Sequence, residues 1–425
     1  MALVAISFSF LLLLNMPLAF AIGIASLLYF VTEPSLPLTI VVQRMVTITQ
    51  SYPMLAIPFF VIAGVLMNAS GITKRLVSFA NVLTGHLAGG LAQVSIVLSA
   101  LMGGISGSAI ADASMQARIL GPTMINKGYS KGYASSVIAI SSLITATIPP
   151  SVGLIVYGFV GEVSIGKLFA AGIIPGILMT LFLMVPAYVV AKKRGYGVER
   201  KKFATFDELK KCFKESIWAL LFPVFLILGI RFGIFTPTEA GAFAIVYAFI
   251  IGKFVYRELD GKSFKEVLHH SVIDNGVILL IISGAAIFGY ASAYNGLPKT
   301  MAEFIGGITT NPYLLLFIIL GFLFIAGMVM ESTVLTLLFT PIFLPVIQSA
   351  GIDPVHFGIL MMTIVTLGCM TPPVGVAMFA VCSILDCPTD KYVIESLPFF
   401  AAVLGLVVVL ALFPQLVMFL PNLLF

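Results

Sequence analysis

This sequence is short of charge. Asp, Glu, Lys and Arg together make up 10% of its 425 residues and 60% are hydrophobic; a soluble domain carries about a quarter charged residues. That shortage excludes an ordinary soluble domain. Histidine and cysteine are scarcer still, with four of each. His86, His269, His270 and His356 have no HExxH spacing, and Cys212, Cys369, Cys382 and Cys387 form neither CxxC nor a disulfide framework. GISGS at 104–108 is not the GxSxG elbow of serine hydrolases, and no Walker A sequence is present. The chain is therefore expected to be neither an enzyme nor a nucleotide-driven pump. The net charge of +5 does not point to nucleic acid, because the basic residues are confined to loops.

What is abundant is apolar length. Crossing a bilayer takes roughly 20 residues, and runs of that order cover 2–31, 168–191, 215–233, 237–256, 271–293 and 396–420. Closed barrels show short alternating segments instead. The chain is expected to be an all-α polytopic membrane protein embedded in a lipid bilayer. Its first residues end in small side chains at PLAFA, as a signal peptide would, but they lack a basic start and the apolar run continues to Val31. They read as a retained first span.

Basic residues set an expected orientation. Lys192, Lys193, Arg194, Arg200, Lys201, Lys202, Lys210, Lys211 and Lys214 crowd the loop 194–214 and its approach, which makes that loop cytoplasmic. Alternating spans outward from it works if 76–127 and 312–350 are hairpins that enter and leave on one side. Of the 23 lysines and arginines, that scheme leaves Arg44, Lys167, Arg231 and Lys299 outside and Arg118 within a hairpin. It predicts a cytoplasmic N-terminus and an external C-terminus.

The two halves echo each other. Asp112 in GGISGSAIADAS (103–114) is followed by Pro122 and then TIPPSVG (147–153); Glu331 in GMVMESTV is followed by Pro341 and then TPPVG (371–375). The single proline precedes the pair by 27 residues in one half and 31 in the other, a difference of about one helical turn. With a connecting helix after the central loop, the second copy starts on the opposite side. The expected organisation is a first repeat over 1–193 (hairpin 76–127, broken helix 131–160) and a connecting helix plus second repeat over 215–425 (hairpin 312–350, broken helix 354–386). Inverted repeats of this kind recur in secondary transporters, which bind cargo where the repeats meet.

A proline pair inside an apolar span removes amide donors and frees carbonyls. Two such breaks at matching positions suit a pair of sodium sites, since sodium is a hard cation that favours oxygen ligands. The first would draw on Ser106, Gly107, Ser108 and Asp112 with Thr147, Pro149 and Ser151. The second would draw on Gly327, Glu331 and Ser332 with Thr371, Pro372 and Gly375. Asp112 and Glu331 are acids at membrane depth with three open roles: sodium ligand, proton carrier or helix cap. Ser108, Asp112, Arg118, Ser151, Ser332 and Thr333 are the candidate cargo contacts, with Arg118 on a cargo carboxylate, paired with Asp112 or snorkelling toward an interface. GxxxG at 85–89 and 172–176 reads as close helix packing.

YPMLAIPFFVIAGVLMNASGIT (52–73), GGISGSAIADAS, IPPSVGLIVYG, FTPTEAGA (235–242) and MTPPVGVAMF together resemble the large membrane subunit of a tripartite ATP-independent periplasmic (TRAP) transporter, over essentially the whole chain. The resemblance implies sodium-driven import of an organic acid, of the sialic acid or C4-dicarboxylate type, across a bacterial inner membrane. It also implies a separate small membrane subunit of four helices, a periplasmic substrate-binding protein that delivers cargo, and an elevator motion of the hairpin-bearing domain. The SGSAxADA tip is closer to the sialic-acid type; the second tip departs from the family pattern with Glu331 in place of an aspartate. The competing expectation is a single-component sodium/dicarboxylate symporter.

Overall fold

The structure, a computed structural model, describes every residue except Met1, Asn15, Lys201 and Thr310; Lys201 of the basic loop thus lies outside the described residues. All regular structure among the described residues is helical, because a backbone in hydrocarbon must satisfy its own hydrogen bonds. Seven of these helices are long and apolar enough to cross a membrane, or up to eight if a bent pair counts as one span.

The chain opens with α1 (Ala2–Leu13), α2 (Leu18–Thr32) and α3 (Thr39–Thr49). The single span expected over 2–31 is instead two helices packed on each other. Pro17 lies at the junction; it has no amide to continue the ladder and disfavours helical geometry in the residue before it. A 3-10 turn at Tyr52–Leu55 leads into α4 (Ala56–Ala69), and α5 (Ile72–Thr84) follows.

The first hairpin is narrower than 76–127. Residues 72–84 form α5, an amphipathic helix packed against a later span, and the arms proper are α6 (Gly90–Gly103) and α7 (Ala109–Ile119), prolonged by α8 (Gly121–Asn126). Gly85 closes α5 and Gly89, at φ 70°, opens α6. The GxxxG at 85–89 is therefore a turn and not a helix seam. The one at 172–176 is a seam: a Cβ on Gly172 would stand 2.2 Å from the Thr147 carbonyl oxygen, and one on Gly176 2.2 Å from Ile148.

Helices α9 (Lys131–Ser141), α10 (Leu143–Thr147) and α11 (Val152–Val160) form one span bent by 45° at the first proline pair. The long α12 (Ile165–Arg194) then leads to the basic loop. Reciprocal Thr–Glu capping boxes, Thr205 with Glu208 and Thr236 with Glu239, start α13 (Phe206–Arg231) and α14 (Pro237–Ile250). Beyond a π turn at Ile251–Val255 come α15 (Gly261–Tyr294) and α16 (Leu297–Ile308). Exposed Trp218 and Phe225 on α13 and Val272 and Ile273 on α15 present apolar surface of the kind lipid solvates.

Helices α17 (Pro312–Gly327) and α18 (Ser332–Ser349) lie where the second hairpin is expected, and α19 (Pro354–Gly368) and α20 (Val376–Leu385) where the second broken span is expected. The run 396–420 is interrupted: α21 (Thr389–Leu412) stops at Phe413, ahead of Pro414, and α22 (Pro414–Leu424) packs back against α12. Across the halves the hairpins exchange partners. Arm α7 packs on α20, and arm α18 packs on α11. The second arm of each hairpin thus lies against the second half of the other repeat's broken span.

Candidate functional site

Each hairpin tip is tied to the break of its own half. The Val152 amide donates to the Gly107 carbonyl (3.3 Å), and the amides of Val374 and Gly375 both donate to Met328 (3.0 Å each). Gly107 sits at φ +61°, and a Cβ there would stand 2.4 Å from the Pro150 carbonyl oxygen. Gly375 has φ +35° and crowds the Thr371 carbonyl in the same way. The first tip and the second break thus each need a glycine for backbone conformation and for close approach. Gly327 serves packing alone: a Cβ there would stand 2.8 Å from the Val365 carbonyl oxygen.

The two breaks satisfy their carbonyls differently. Pro149 and Pro150 cannot donate to Thr145 and Ala146, the carbonyls four residues back. No hydrogen bond among the described residues reaches the carbonyls of Thr145, Ala146 or Thr147. In the second half the corresponding carbonyls are covered. Gly368 accepts from the Thr371 amide (2.8 Å), Cys369 from the Ala377 amide (3.0 Å) and Met370 from the Tyr392 hydroxyl (2.9 Å). An uncovered carbonyl in an apolar interior costs several kcal/mol, so the first break has the greater need of an external partner. The hydroxyls of Thr147 and Thr371 turn back to the carbonyls of Leu143 and Leu367.

The two acids do different things. Ser108 caps α7 by accepting from the Ala111 amide (3.4 Å), so Asp112 is not the cap. It is buried at 1% exposure between the hairpin and the first broken span. Its Oδ2 accepts from Ser99 (2.9 Å), Gln116 (2.9 Å) and Thr145 (2.8 Å), while Oδ1 has no partner. Ser95 extends the zipper to Gln116 (2.6 Å). Glu331 does cap its helix: it accepts from the amides of Thr333 (2.8 Å) and Val334 (3.3 Å) and from the hydroxyls of Ser332 and Thr333 (3.0 Å each).

Both tips face one cavity of about 450 Å³. Ser106, Gly107 and Ser108 line it from the first hairpin, and Glu331, Ser332 and Thr333 from the second. The broken spans contribute Gly153 and Thr366, and α4 and α15 supply an apolar wall. The hydroxyls of Ser106 and Thr366 are buried there without a partner. The cavity thus collects Ser108, Ser332 and Thr333 of the expected cargo contacts and leaves out Asp112, Ser151 and Arg118. Ser151 caps α11 by accepting from the Leu154 amide (3.3 Å). Arg118 is exposed in the last turn of α7, where a cation suits the helix dipole, and it makes no ion pair with Asp112. Thr147, Pro149, Gly327, Thr371, Pro372 and Gly375 lie behind the tips, off the cavity wall.

Six contributors went unmarked in the sequence: Ser95, Ser99, Gln116 and Thr145 around Asp112, and Asn68 and Asp274 on the cavity wall. Ser95 and Ser99 on α6, and Asp112 and Gln116 on α7, are polar pairs four apart in apolar helices, a spacing that places each pair on one helix face. Thr145 completes their network. Asn68 of α4 and Asp274 of α15 also line the cavity; Asp274 is a charge inside an apolar run, the same signal that singled out Asp112.

The profile described as "Tripartite ATP-independent periplasmic transporter, DctM component" matches residues 5–416. The chain is 38% identical over 413 residues to the sialic acid TRAP transporter large permease protein SiaM of Vibrio cholerae, covering 97% of this chain and 96% of that one. It is 32% identical over 428 residues to the C4-dicarboxylate TRAP transporter large permease protein DctM of Rhodobacter capsulatus, covering 97% of each. Among solved structures, the YdaH transporter of Alcanivorax borkumensis superimposes with a TM-score of 0.62 at 13% identity, over 88% of this chain and 87% of that one, a likeness of fold.

Proposed function

The chain belongs to the DctM-component family of tripartite ATP-independent periplasmic transporters, and on that premise we propose that it uses a sodium gradient to import a small organic acid across the bacterial inner membrane. It is a multi-pass membrane transport protein and not an enzyme. The relatives' names bring sialic acid and C4-dicarboxylates as cargo types. A small four-helix membrane subunit and a periplasmic substrate-binding protein complete the system. The N-terminus faces the cytoplasm and the C-terminus the periplasm. The hairpin-bearing domain moves as an elevator against the remaining spans.

The observation that carries the sodium reading is the supply of oxygen atoms without protein partners. In the first half these are the carbonyls of Thr145, Ala146 and Thr147, the Ser106 hydroxyl and Oδ1 of Asp112. In the second half the Thr366 hydroxyl is an unpartnered group on the cavity wall with Ser332 and Glu331. Hydroxyl, carbonyl and carboxylate oxygens are what a hard monovalent cation takes. A co-transported sodium ion would supply the positive charge that an acid needs in a cavity without basic side chains.

The test is uptake into proteoliposomes holding this chain and its small subunit, with the binding protein outside. Replacing external sodium by choline abolishes uptake on this reading. Undiminished uptake driven by a pH gradient alone overturns the sodium coupling, and uptake without the binding protein overturns the tripartite assembly.

A further inference from the structure

The cavity wall carries two carboxylates, Glu331 and Asp274, and no lysine, arginine or histidine. The carboxylates are not equivalent. That of Glu331 is spent on the first turn of its own helix. Asp274 lies on α15, on the face it shares with Val277, Ile278 and Ile281, a spacing of three and four that aims one helix side at the cavity. It is exposed to that space and makes no hydrogen bond or ion pair among the described residues.

The helix N-termini at the tips differ in the same way. At the second tip Glu331 already occupies the freed amides. At the first, the amides of Ala109 and Ile110 have no protein acceptor, and the unpartnered Ser106 hydroxyl, 8% exposed, lies beside them on the wall. One end of the cavity therefore receives a carboxylate, and the α15 wall repels a second one while accepting hydrogen bonds.

We propose that Asp274 is a specificity-determining residue that selects organic acids with a single carboxylate and hydroxyl or amino donors on the rest of the molecule, and that disfavours dicarboxylates. The proposal rests on the organic-acid reading above and names the class within it. The cargo carboxylate meets the start of α7 with Ser106, and the donors at the far end meet the Asp274 carboxylate. A dicarboxylate places its second charge against a fixed like charge in a site of lowered dielectric, where such pairs interact more strongly than in water.

The experiment uses the full-length chain in lipid nanodiscs with sodium chloride, and titrates gluconate, N-acetylneuraminate, succinate and fumarate while following thermal stabilisation. Wild type binds at least one of the two polyhydroxylated monoacids, and binds succinate and fumarate about tenfold or more weakly. Asp274→Asn and Asp274→Ser, changes at an exposed position, raise dicarboxylate affinity about tenfold and leave or lower that for the monoacids. Equal or tighter binding of dicarboxylates by wild type, or an unchanged ratio in both variants, overturns the role of Asp274 and leaves the organic-acid reading standing. Stabilisation by none of the four acids overturns both.

Discussion

The amide of Val152 donates to the carbonyl of Gly107 across 3.3 Å, joining the helix that follows the first proline pair to the tip of the first hairpin. The contact exists because Gly107, at φ +61°, has no side chain to meet Pro150. Replacing Gly107 by Ala adds left-handed strain of order 1–3 kcal/mol and a Cβ at 2.4 Å from a backbone oxygen. Uptake falls to background and the melting temperature drops. Gly128 is the control: its φ is +86° but nothing lies within 4 Å of its Cβ position, so Gly128→Ala costs strain alone and keeps transport.

Asp112 separates a structural from an ionic role. Asp112→Ala removes the acceptor that Ser99, Gln116 and Thr145 share and leaves each with its second partner, the Ser141 hydroxyl, the Ser99 hydroxyl and the Ser99 carbonyl in turn, a loss of about 1–3 kcal/mol. Asp112→Asn keeps an oxygen for them and holds most of the stability. If Oδ1 meets a sodium ion, the Asn variant folds but needs about tenfold more sodium for half-maximal uptake. An unchanged sodium curve with normal stability assigns Asp112 to the hairpin zipper alone.

The unequal breaks predict unequal responses. Ser106→Ala removes an unpartnered hydroxyl, so it leaves stability nearly unchanged and weakens sodium activation by about tenfold. Tyr392→Phe uncovers the Met370 carbonyl, which accepts from that hydroxyl at 2.9 Å, and lowers stability by about 1 kcal/mol. Sodium activation curves and thermal melts on the same preparations distinguish the two.

Outside the membrane, Glu258 accepts from Arg75 (2.9 Å) and Lys74 (3.3 Å), and Arg75 also stacks on Tyr256 at 3.8 Å. Burial raises the Glu258 carboxyl, but the hydrogen bonds from Arg75 and Lys74 outweigh it and hold the group below its ordinary value of 4.5. A depressed carboxyl adds stability that is complete above the ordinary glutamate range and is lost as pH falls through the folded value. Melting temperature therefore drops as pH goes below 4.5, and Glu258→Gln shows less of that drop, measured from pH 7 downwards.

Composition and pattern determined the class of this protein. Scarce charge and long apolar runs leave a helical membrane chain, because no other use of such a sequence satisfies its backbone. The two proline pairs mark helix interruptions at 148–151 and 369–375, since two adjacent residues without amide donors end the ladder; single prolines such as Pro341 stay inside their helix. Local signals marked element ends as well: Ser108, Ser151 and Glu331 each cap the helix that follows them. Only the tertiary structure decided what the side chains face. Asp112 and Glu331 each stand ten residues before a proline, yet Asp112 lies within the first turn of α7, in a zipper between α6, α7 and α10, and Glu331 is itself the cap of α18, because Ser108 already occupies the capping position of α7. Arg118 and Asp274 show the same limit. Each is a charge in an apolar surround, but helix rotation against its neighbours turned Arg118 away from the cavity and Asp274 into it.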